Sequence, residues 1–308
     1  MGYVGRLAPS PTGRIHVGIA RTSLLAWLDA RAHHGQLLLR IEDIDRTRCR
    51  DDAESEIIRD LQWLGLNWDE APDGTGPMGS YRQSDRSSFY LTALDQLFAA
   101  GRVYPCTCSR KEIALAASAP HGPADEGPRY PETCRAGARP KPGRRPALRL
   151  RTDPTDVIAH RDRRLGELGH DVHAIVGDFV IRRSDEHWAY QLAVSIDDAL
   201  QGVTDVVRGD DLAGSSARQL LLRRILYPDR PPLRTLHVPL MVDESGRRLA
   251  KRTGGYTVAA LRESGATAAQ VIGQLAASVG LNPSGDPRAP VDLLPAWENT
   301  DFGALLGR

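Results

Sequence analysis

The segment Arg6-Leu-Ala-Pro-Ser-Pro-Thr-Gly-Arg-Ile-His-Val-Gly-Ile19 decides the fold of this chain. It connects residues 3–8, an apolar stretch that predicts a short buried strand, to a helical pattern of leucines that begins near Gly18. A second apolar strand is predicted at residues 37–41. Strand, loop, helix and strand in this order are typical of a βαβ unit, so the sequence predicts an α/β fold with a parallel sheet and flanking helices.

Periodicity further along the chain extends this prediction. Helices are predicted at residues 51–65, 81–100, 191–200, 215–227, 258–263 and 268–279, and strands at 172–176, 179–183, 203–208 and 235–238. Between residues 103 and 151 many prolines interrupt the pattern, which indicates an insertion with a loop-rich fold of its own. After residue 279 we expect a proline-rich tail.

His16 and Gly18 stand where open α/β sheets bind nucleotides. Ligands lie outside the carboxyl ends of the strands, where the N-terminus of a helix offers free N–H groups and partial positive charge to phosphate. There His16 can donate to a phosphate oxygen, and Gly18 has no side chain to keep a base or ribose off the backbone. On these residues alone, a plain strand-to-helix turn with an exposed His16 is an equal alternative.

A polar loop at residues 243–255 is the second segment with candidate functional residues. It follows a predicted strand, ends in two glycines, and contains three arginines together with Lys251, one of only three lysines in the chain. A mobile cationic loop suits adenylyl transfer, because negative charge grows on the departing pyrophosphate. The alternative is a solvated surface loop, which is the usual structure of a charged segment.

Together these segments resemble the two signatures of class I aminoacyl-tRNA synthetases, with residues 16–19 in place of HIGH and 248–252 in place of KMSKS. Flanking motifs resemble the glutamyl-tRNA synthetase catalytic core over roughly residues 3–255. These motifs are RLAPS at 6–10, TG at 12–13, RIEDIDR at 40–46, LGLNW at 64–68, VRGD at 207–210 and HVPL at 237–240. The resemblance implies a Rossmann-type sheet, with catalytic roles for His16, Gly18 and Lys251. It also implies ATP binding, with Mg²⁺, by His16, Gly18, Arg248 and Lys251.

The resemblance further implies that the substrate is an α-amino acid with an acidic side chain. An arginine can bind a carboxylate through two parallel hydrogen bonds, and a carboxylate can accept from the substrate ammonium group. Each residue alone could have a structural role, such as a capped turn at Glu42 or a core position for Tyr190. The residues that the resemblance assigns to L-glutamate are Arg6, Leu7, Ala8, Pro9, Ser10, Glu42, Tyr190 and Arg208.

Three of the four cysteines predict a structural zinc site in the insertion. Cys106 and Cys108 precede Cys134, and three thiolates with a fourth ligand make a closed tetrahedral site. Buried free thiols are the alternative, and Cys49 is expected to be a lone thiol. His121 is chemically the ordinary fourth ligand, whereas the family resembled here uses a tyrosine four residues before the last cysteine. We expect the ligands Cys106, Cys108, Tyr130 and Cys134.

The composition of the whole chain is that of an ordinary globular protein and excludes a disordered one. Of its 308 residues 41% are hydrophobic and 26% charged, and 40 Lys and Arg against 39 Asp and Glu leave a net charge of +1. No apolar run reaches the roughly 18 residues of a membrane helix, and the N-terminus lacks a signal-peptide pattern. We therefore expect a cytoplasmic protein with no membrane partner.

Residues 129–164 are basic although the total charge is balanced. They contain eleven Lys or Arg against four Asp or Glu. Because neutralised phosphates supply much of the affinity for nucleic acid, this segment is a candidate contact for RNA. A solvated, arginine-rich insertion is the alternative.

The chain divides into four predicted regions. These are residues 1–102, the first half of the Rossmann domain; 103–188, the zinc-containing insertion; 189–255, the second half with the KMSKS-like loop; and 256–308, a short helical region. The 53 residues after position 255 are too few for the helical anticodon-binding portion of a glutamyl-tRNA synthetase. This length and the cysteine pattern resemble the family of glutamyl-queuosine tRNA(Asp) synthetases.

That family activates glutamate with ATP in the absence of tRNA and transfers it to queuosine, the modified base at the wobble position of tRNA(Asp). The resemblance implies ATP, L-glutamate and queuosine-containing tRNA(Asp) as partners, one zinc ion, Mg²⁺ with ATP, and a monomeric protein. One alternative is a truncated enzyme that charges the 3′ end of tRNA(Glu). Another is a non-catalytic paralogue that binds tRNA or an amino acid, suggested by Arg248 and Ala250 in the second signature.

Overall fold

The computed structural model describes residues 2–72, 78–116, 129–137, 141–242 and 257–307. The strands in these residues are β1 (Val4–Leu7), β2 (Gln36–Leu39), β3 (Val103–Cys106), β4 (Ala147–Leu150), β5 (Val157–Asp162), β6 (Gly166–Asp171), β7 (Phe179–Arg182), β8 (Asp205–Gly209) and β9 (Arg234–Val238). The helices are α1 (Val17–Ala32), α2 (Ala53–Trp63), α3 (Ser87–Ala99), α4 (Arg110–Ala116), α5 (Tyr190–Leu200), α6 (Ser216–Leu226), α7 (Val258–Glu263), α8 (Ala268–Ala277), α9 (Leu294–Glu298) and α10 (Phe302–Leu305).

A parallel sheet lies at the centre of the fold. β1 pairs with β2 from Val4 opposite Gln36 to Leu7 opposite Leu39, and β8 pairs with β9 in the same parallel sense. The N–H group of Thr204, just before β8, donates to the carbonyl of Val4 at 2.9 Å, which places β8 beside β1. The strand order is therefore β2, β1, β8, β9, and the predicted βαβ unit is confirmed.

Helices cover both faces of this sheet. Because successive side chains of a strand point to opposite faces, neighbouring residues enter different cores. Val207 of β8 belongs to the apolar cluster of α1, α2, α8 and α9, whereas Val206 belongs to the cluster of α3, α5 and α6. Burial on both faces explains why the strands read as continuous apolar runs in the sequence.

Asp29 ties α1 to two distant parts of the chain. Its fully buried carboxylate accepts from the hydroxyl of Tyr3 at 2.7 Å and from both terminal nitrogens of Arg163 at 2.5 and 2.8 Å. The indole N–H of Trp297 in α9 also donates to it, at 3.2 Å. The C-terminal helices are therefore part of the core that supports α1.

The predicted insertion contains a small antiparallel sheet and a hairpin. β4 lies between β3 and β7 in the sheet. β5 and β6 form the hairpin, and Asp162 at the end of β5 pairs with Thr235 of β9. The hairpin thus extends the central sheet at its β9 edge. The four domain boundaries drawn from the sequence stay predictions.

Two predictions of local structure are wrong. Residues Val172–Val176 form a π-helical turn and not a strand, since the Asp171 carboxylate accepts the N–H of Ala174 and Gly177 ends the turn at φ +69°. The expected tail after residue 279 contains a 3-10 turn at Pro290–Leu293 and the helices α9 and α10. A proline suits the first position of a helical turn, because its missing N–H would be unpaired there in any case.

None of the helices in the described residues is both long enough and apolar enough to cross a membrane.

Candidate active site

A cleft of about 730 Å³ opens at the carboxyl ends of the parallel strands. Residues that follow β1, β2 and β9 line it, as do the end of β8, the first turns of α1 and the first residue of α5. This is the edge at which open α/β sheets bind their ligands. Ten of the predicted site residues lie together around it: Arg6, Leu7, Ala8, Pro9, Ser10, His16, Gly18, Glu42, Tyr190 and Arg208.

His16 is the N-cap of α1, at the end of the loop that the sequence assigned to a nucleotide. Its Nδ1 accepts the N–H of Gly18 at 3.4 Å, so the imidazole is fixed at the N-terminus of the helix. A Cβ atom at Gly18 would meet no protein atom closer than this Nδ1, at 3.8 Å. The space beside Gly18 is therefore open, as the expectation of a base or ribose at this position requires.

Arg208 is a buried side chain of the cleft whose hydrogen-bond partners are neutral. It is 5% exposed, and its three nitrogens donate to neutral acceptors: Nε2 of His237 at 3.0 Å, Oε1 of Gln219 at 2.6 Å and Oγ of Ser216 at 2.9 Å. Among the residues that the structure describes, no carboxylate lies within ion-pair distance of it. Burial lowers the pKa of the Arg208 guanidinium, and the neighbouring Arg6 lowers it further, against the smaller opposing effects of Tyr190 and Asp198.

Four other charged side chains at the base of the cleft are paired among themselves. The fully buried Arg40 lies 2.8 Å from Asp198 and 3.1 Å from Glu42, and Arg6 Nε lies 3.6 Å from Asp198. Burial raises the pKa of the Glu42 carboxyl, against the opposing effect of Arg40 and Arg6. With Arg208, this part of the site holds three arginines and two carboxylates. The net positive charge suits a ligand that carries one negative charge overall.

The second signature lies outside the described residues, and so do Arg248 and Lys251. The chain on either side of it is described. Residues 239–241 line the cleft after β9. Beyond the second signature, Thr257 pairs with His16 in a backbone bridge, and the N–H of Val258 donates to the carbonyl of Ile15 at 2.9 Å. The described residues on either side of positions 243–256 thus lie at the walls of the cleft.

The three cysteines of the insertion form a cluster that could hold a metal ion. The sulfur atoms of Cys106, Cys108 and Cys134 lie within 4.8 Å of one another, and those of Cys108 and Cys134 are 3.6 Å apart. Zn–S bonds of about 2.3 Å in a tetrahedron separate two sulfurs by roughly 3.8 Å. The donor set therefore fits a structural zinc ion.

Tyr130 is the fourth polar side chain at the cluster. Its hydroxyl lies 3.3 Å from the sulfur of Cys106 and 3.6 Å from that of Cys108, and it accepts the backbone N–H of Cys134 at 2.9 Å. The guanidinium of Arg149 stacks 3.8 Å from its ring centroid. His121, the other candidate, lies outside the described residues. Cys49 lies away from this group, with its thiol 3.4 Å from the carbonyl of Asp45.

The basic residues at 129–164 are mostly paired with carboxylates. Eight of the ten in the described part have one within 4 Å: Arg129, Arg135, Lys141, Arg144, Arg145, Arg161, Arg163 and Arg164. Many of the partners come from elsewhere in the chain, as Glu112, Glu186 and Asp210 do. The local charge excess in the sequence is therefore largely compensated in the fold.

Sequence reasoning missed the residues behind the cleft. Arg40 and His237 stood in the quoted motifs without a role, and Asp162 and Asp198 were not singled out. The sequence did offer one indication of them, because each is a polar or charged residue within or beside a strand or helix that also contains apolar residues. Such a residue is rarely buried without a hydrogen-bond or charged partner.

Comparisons with known proteins identify a family of synthetases and similar relatives. Residues 4–286 match the family described as tRNA synthetases class I (E and Q), catalytic domain. The glutamyl-Q tRNA(Asp) synthetase of Symbiobacterium thermophilum is 48% identical over 300 residues, which cover 96% of this chain and 92% of the relative. That of Nitratidesulfovibrio vulgaris is 49% identical over 294 residues, which cover 94% and 90%.

The chain belongs to the glutamyl-Q tRNA(Asp) synthetase family. It is therefore a ligase of the aminoacyl-tRNA synthetase class, which argues against the non-catalytic alternative.

Solved structures show the same fold in longer proteins. A glutamate-tRNA synthetase from Elizabethkingia anophelis matches with a TM-score of 0.79 at 24% identity, over 96% of this chain and 65% of that one. A glutamate tRNA ligase from Elizabethkingia meningosepticum, in complex with its amino acid, matches with 0.78 at 25% identity, over 96% and 64%. This glutamyl-Q tRNA(Asp) synthetase family member thus has the predicted class I synthetase fold, and it spans about two thirds of those chains.

Proposed function

We propose that this protein activates L-glutamate with ATP in the absence of tRNA, and then transfers the glutamyl group to the queuosine base of tRNA(Asp). The observation that carries the proposal is Arg208, a buried arginine with only neutral hydrogen-bond partners, in the same cleft as Glu42. The names of the relatives and the predicted site residues support the same reaction.

Glutamate binding follows from the charges of the cleft. Arg208 has a free charge to offer the side-chain carboxylate, and the Glu42 carboxylate can accept from the substrate ammonium group. Arg40 holds Glu42 in place through its contact of 3.1 Å. Glutamine would leave the Arg208 charge buried without a counter-ion, which is the basis we propose for selectivity.

Activation needs alignment and charge stabilisation more than covalent chemistry. An oxygen of the glutamate α-carboxylate attacks the α-phosphorus of ATP, and the bond from that phosphorus to the pyrophosphate oxygen breaks. His16 and Lys251 stabilise the negative charge that develops, and the base or ribose lies over Gly18. Mg²⁺ bound with ATP adds positive charge at the phosphates.

Transfer converts the acyl-phosphate anhydride of the adenylate into a carboxylic ester. A hydroxyl of the queuosine cyclopentenediol attacks the glutamyl carbonyl of the adenylate, and the bond from that carbonyl to AMP breaks. The proton of the hydroxyl passes to the departing AMP phosphate or to water, and AMP is released.

We further propose that Cys106, Cys108, Tyr130 and Cys134 hold one structural zinc ion. The donor set and the spacing of the sulfurs support this assignment. A zinc ion would join β3 to the segment around Cys134, where the small antiparallel sheet has little apolar core of its own. The monomeric state and the cytoplasmic location stay predictions.

Two assays test the function. The first measures ATP–pyrophosphate exchange without tRNA, with glutamate, glutamine and aspartate as substrates; we expect exchange with glutamate. Exchange that requires tRNA, or that prefers another amino acid, would refute the proposed activation step.

The second assay follows labelled glutamate with ATP and three tRNAs: tRNA(Asp) with queuosine, tRNA(Asp) without it, and tRNA(Glu). We expect label on the first alone. Label on tRNA(Glu) would instead identify an enzyme that charges its 3′ end.

A further inference from the structure

We infer that Asp162 and His237 are positioning residues that hold Arg208 in the orientation required for glutamate selectivity. The inference rests on the proposed function, in which Arg208 binds the side-chain carboxylate of the substrate. We call Asp162, His237 and Arg208 the buried relay. Its members come from three neighbouring strands, β5, β9 and β8.

The contacts of His237 assign its protonation. Nε2 receives the Nε–H of Arg208 at 3.0 Å, and a guanidinium can only donate, so Nε2 must offer a lone pair. Nδ1 lies 2.7 Å from Oδ2 of Asp162, an acceptor, so Nδ1 carries the proton. His237 is therefore neutral, in the tautomer with hydrogen on Nδ1. Burial and the neighbouring Arg208 lower its pKa, consistent with this state.

Asp162 is built to remain a carboxylate. It is 1% exposed and accepts from the hydroxyl of Thr235 at 2.7 Å and from the backbone N–H of Leu165 at 2.9 Å, besides the imidazole. Burial alone would raise the pKa of Asp162, but the hydrogen bonds from His237, Leu165 and Thr235 outweigh it and lower the pKa. An ionised Asp162 can only accept, and so it fixes the His237 tautomer.

The buried relay fixes the orientation of the Arg208 guanidinium as well as the tautomer of His237. The His237 lone pair occupies the Nε–H of Arg208, while Gln219 and Ser216 each take one terminal N–H. Of the two remaining N–H groups of the guanidinium, one is shared with the Tyr190 hydroxyl, which also lines the cleft, and the other is left for a ligand. None of the three acceptors is charged, so the relay orients the cation without neutralising it. A carboxylate in place of His237 would hold Arg208 equally well but remove its attraction for glutamate.

Asp162→Asn tests the tautomer. The amide introduced by this substitution can donate to Nδ1 of His237, which favours hydrogen on Nε2, and Nε2–H cannot accept from Arg208. We expect the KM for glutamate to rise about 30-fold in pyrophosphate exchange, with the KM for ATP within threefold of wild type. The preference for glutamate over glutamine, as a ratio of kcat/KM values, should fall at least tenfold. If Asp162 had only a structural role, the substitution would lower kcat/KM for glutamate and for glutamine by the same factor.

Thr235→Val is the matched control. It removes another hydrogen bond to the same carboxylate without supplying a donor that could alter the His237 tautomer. We expect both KM values and the glutamate preference within threefold of wild type. If Asp162→Asn and Thr235→Val behave alike, the relay is overturned.

A pair of His237 variants decides the question where Asp162→Asn fails to fold. In His237→Gln the Oε1 atom can replace Nε2 as the acceptor for Arg208, whereas the shorter side chain of His237→Asn does not reach it. We expect Gln to keep the glutamate KM within fivefold of wild type and Asn to raise it at least tenfold above Gln. Equal KM values would overturn the inference. Absence of glutamate-dependent exchange in the wild type would overturn the proposed function, and the inference with it.

Discussion

The cleft and the segment at residues 129–164 both contain buried or half-buried arginines, but they use the positive charge differently. In the segment, Arg163 makes two short contacts to the buried Asp29 carboxylate and is fully compensated. In the cleft, Arg208 is bound by an imidazole, an amide and a hydroxyl, and its charge stays free. A charge excess counted along the sequence therefore does not measure the positive charge that a region can offer a ligand.

Arg163 has a carboxylate partner, which suits a structural role, whereas Arg208 has neutral partners and lines the cleft, which together suit a binding role. A paired cation lowers the energy of the fold, whereas a buried cation with neutral partners costs free energy until a ligand neutralises it. The same substitution in the two regions should therefore have opposite consequences for activity and stability. Substitutions in the two regions test this contrast.

Arg208→Gln should abolish glutamate activation while leaving the protein folded. We expect kcat/KM for glutamate in pyrophosphate exchange to fall at least about 1000-fold, because the substrate carboxylate loses its counter-ion in a water-poor site. The free energy of unfolding, measured with urea, should stay within about 1 kcal/mol of wild type, since the charge that is removed had no partner. A large loss of stability with little loss of activity would assign Arg208 to the core.

Arg163→Gln, the matched substitution in the paired region, should show the reverse. Loss of the guanidinium leaves the Asp29 carboxylate buried with Tyr3 and Trp297 as its remaining donors, and we expect the free energy of unfolding to fall by roughly 3 kcal/mol. At temperatures where the variant is folded, kcat/KM for glutamate should remain within about threefold of wild type. Comparable effects of both substitutions on activity would remove the contrast between the two regions.

The cysteine cluster provides a third environment, in which the compensating charge is a metal ion. We expect one zinc per chain in protein purified without chelator, and loss of that zinc in Cys134→Ser. Tyr130→Phe should lower zinc affinity about 10- to 100-fold, measured by competition with a chromogenic chelator, because one ligand oxygen is lost. His121→Ala is the control and should leave affinity unchanged; the opposite ranking would make His121 the fourth ligand.

Gly18→Ala probes the open space at the N-terminus of α1. Since a Cβ atom meets only Nδ1 of His16, at 3.8 Å, the fold accommodates it, and alanine favours the helix by up to about 1 kcal/mol. We expect the KM for ATP to rise about tenfold without loss of thermal stability, and the KM for glutamate serves as the internal control. An unchanged KM for ATP would show that no part of the nucleotide lies against this position.

Arg145→Gln should have the smallest effect. Arg145 and its partner Glu186 are 72% and 61% exposed, so their contact is screened and either could exchange its partner for a phosphate or a cation. We expect affinity for tRNA to fall no more than about threefold at 0.15 M salt. A tenfold loss, with a salt dependence reduced by about one phosphate contact, would restore the segment at 129–164 as a principal RNA surface.

Local patterns predicted most of the fold, and motifs predicted which residues meet in the cleft. The β1, α1 and β2 elements each follow from a local pattern of apolar residues, so periodicity was sufficient for this βαβ unit, whereas the capping of α1 by His16 was not predicted. The π-helical turn at Val172–Val176 was missed, because its apolar residues suit a strand and the Asp171 cap decides otherwise.

The compensation of charge was also missed, for a different reason. The carboxylates that pair with Arg163 and Arg164 are 134 and 46 positions away, beyond the reach of any local count. His237 and Asp162 are likewise 75 positions apart, and only the β5–β9 contact brings them together behind Arg208.

The hydrogen bond from Trp297 to Asp29 also limits how early the core around α1 can be completed during synthesis. The two residues are 268 positions apart in the chain. At about 5 to 20 residues per second, a ribosome needs roughly 13 to 54 s to make the indole after it has made the carboxylate. Throughout that interval α1, which carries the wall of the cleft, lacks the helix that covers it. The newly made N-terminal half therefore exposes apolar surface for tens of seconds, a period in which chaperone binding competes with aggregation.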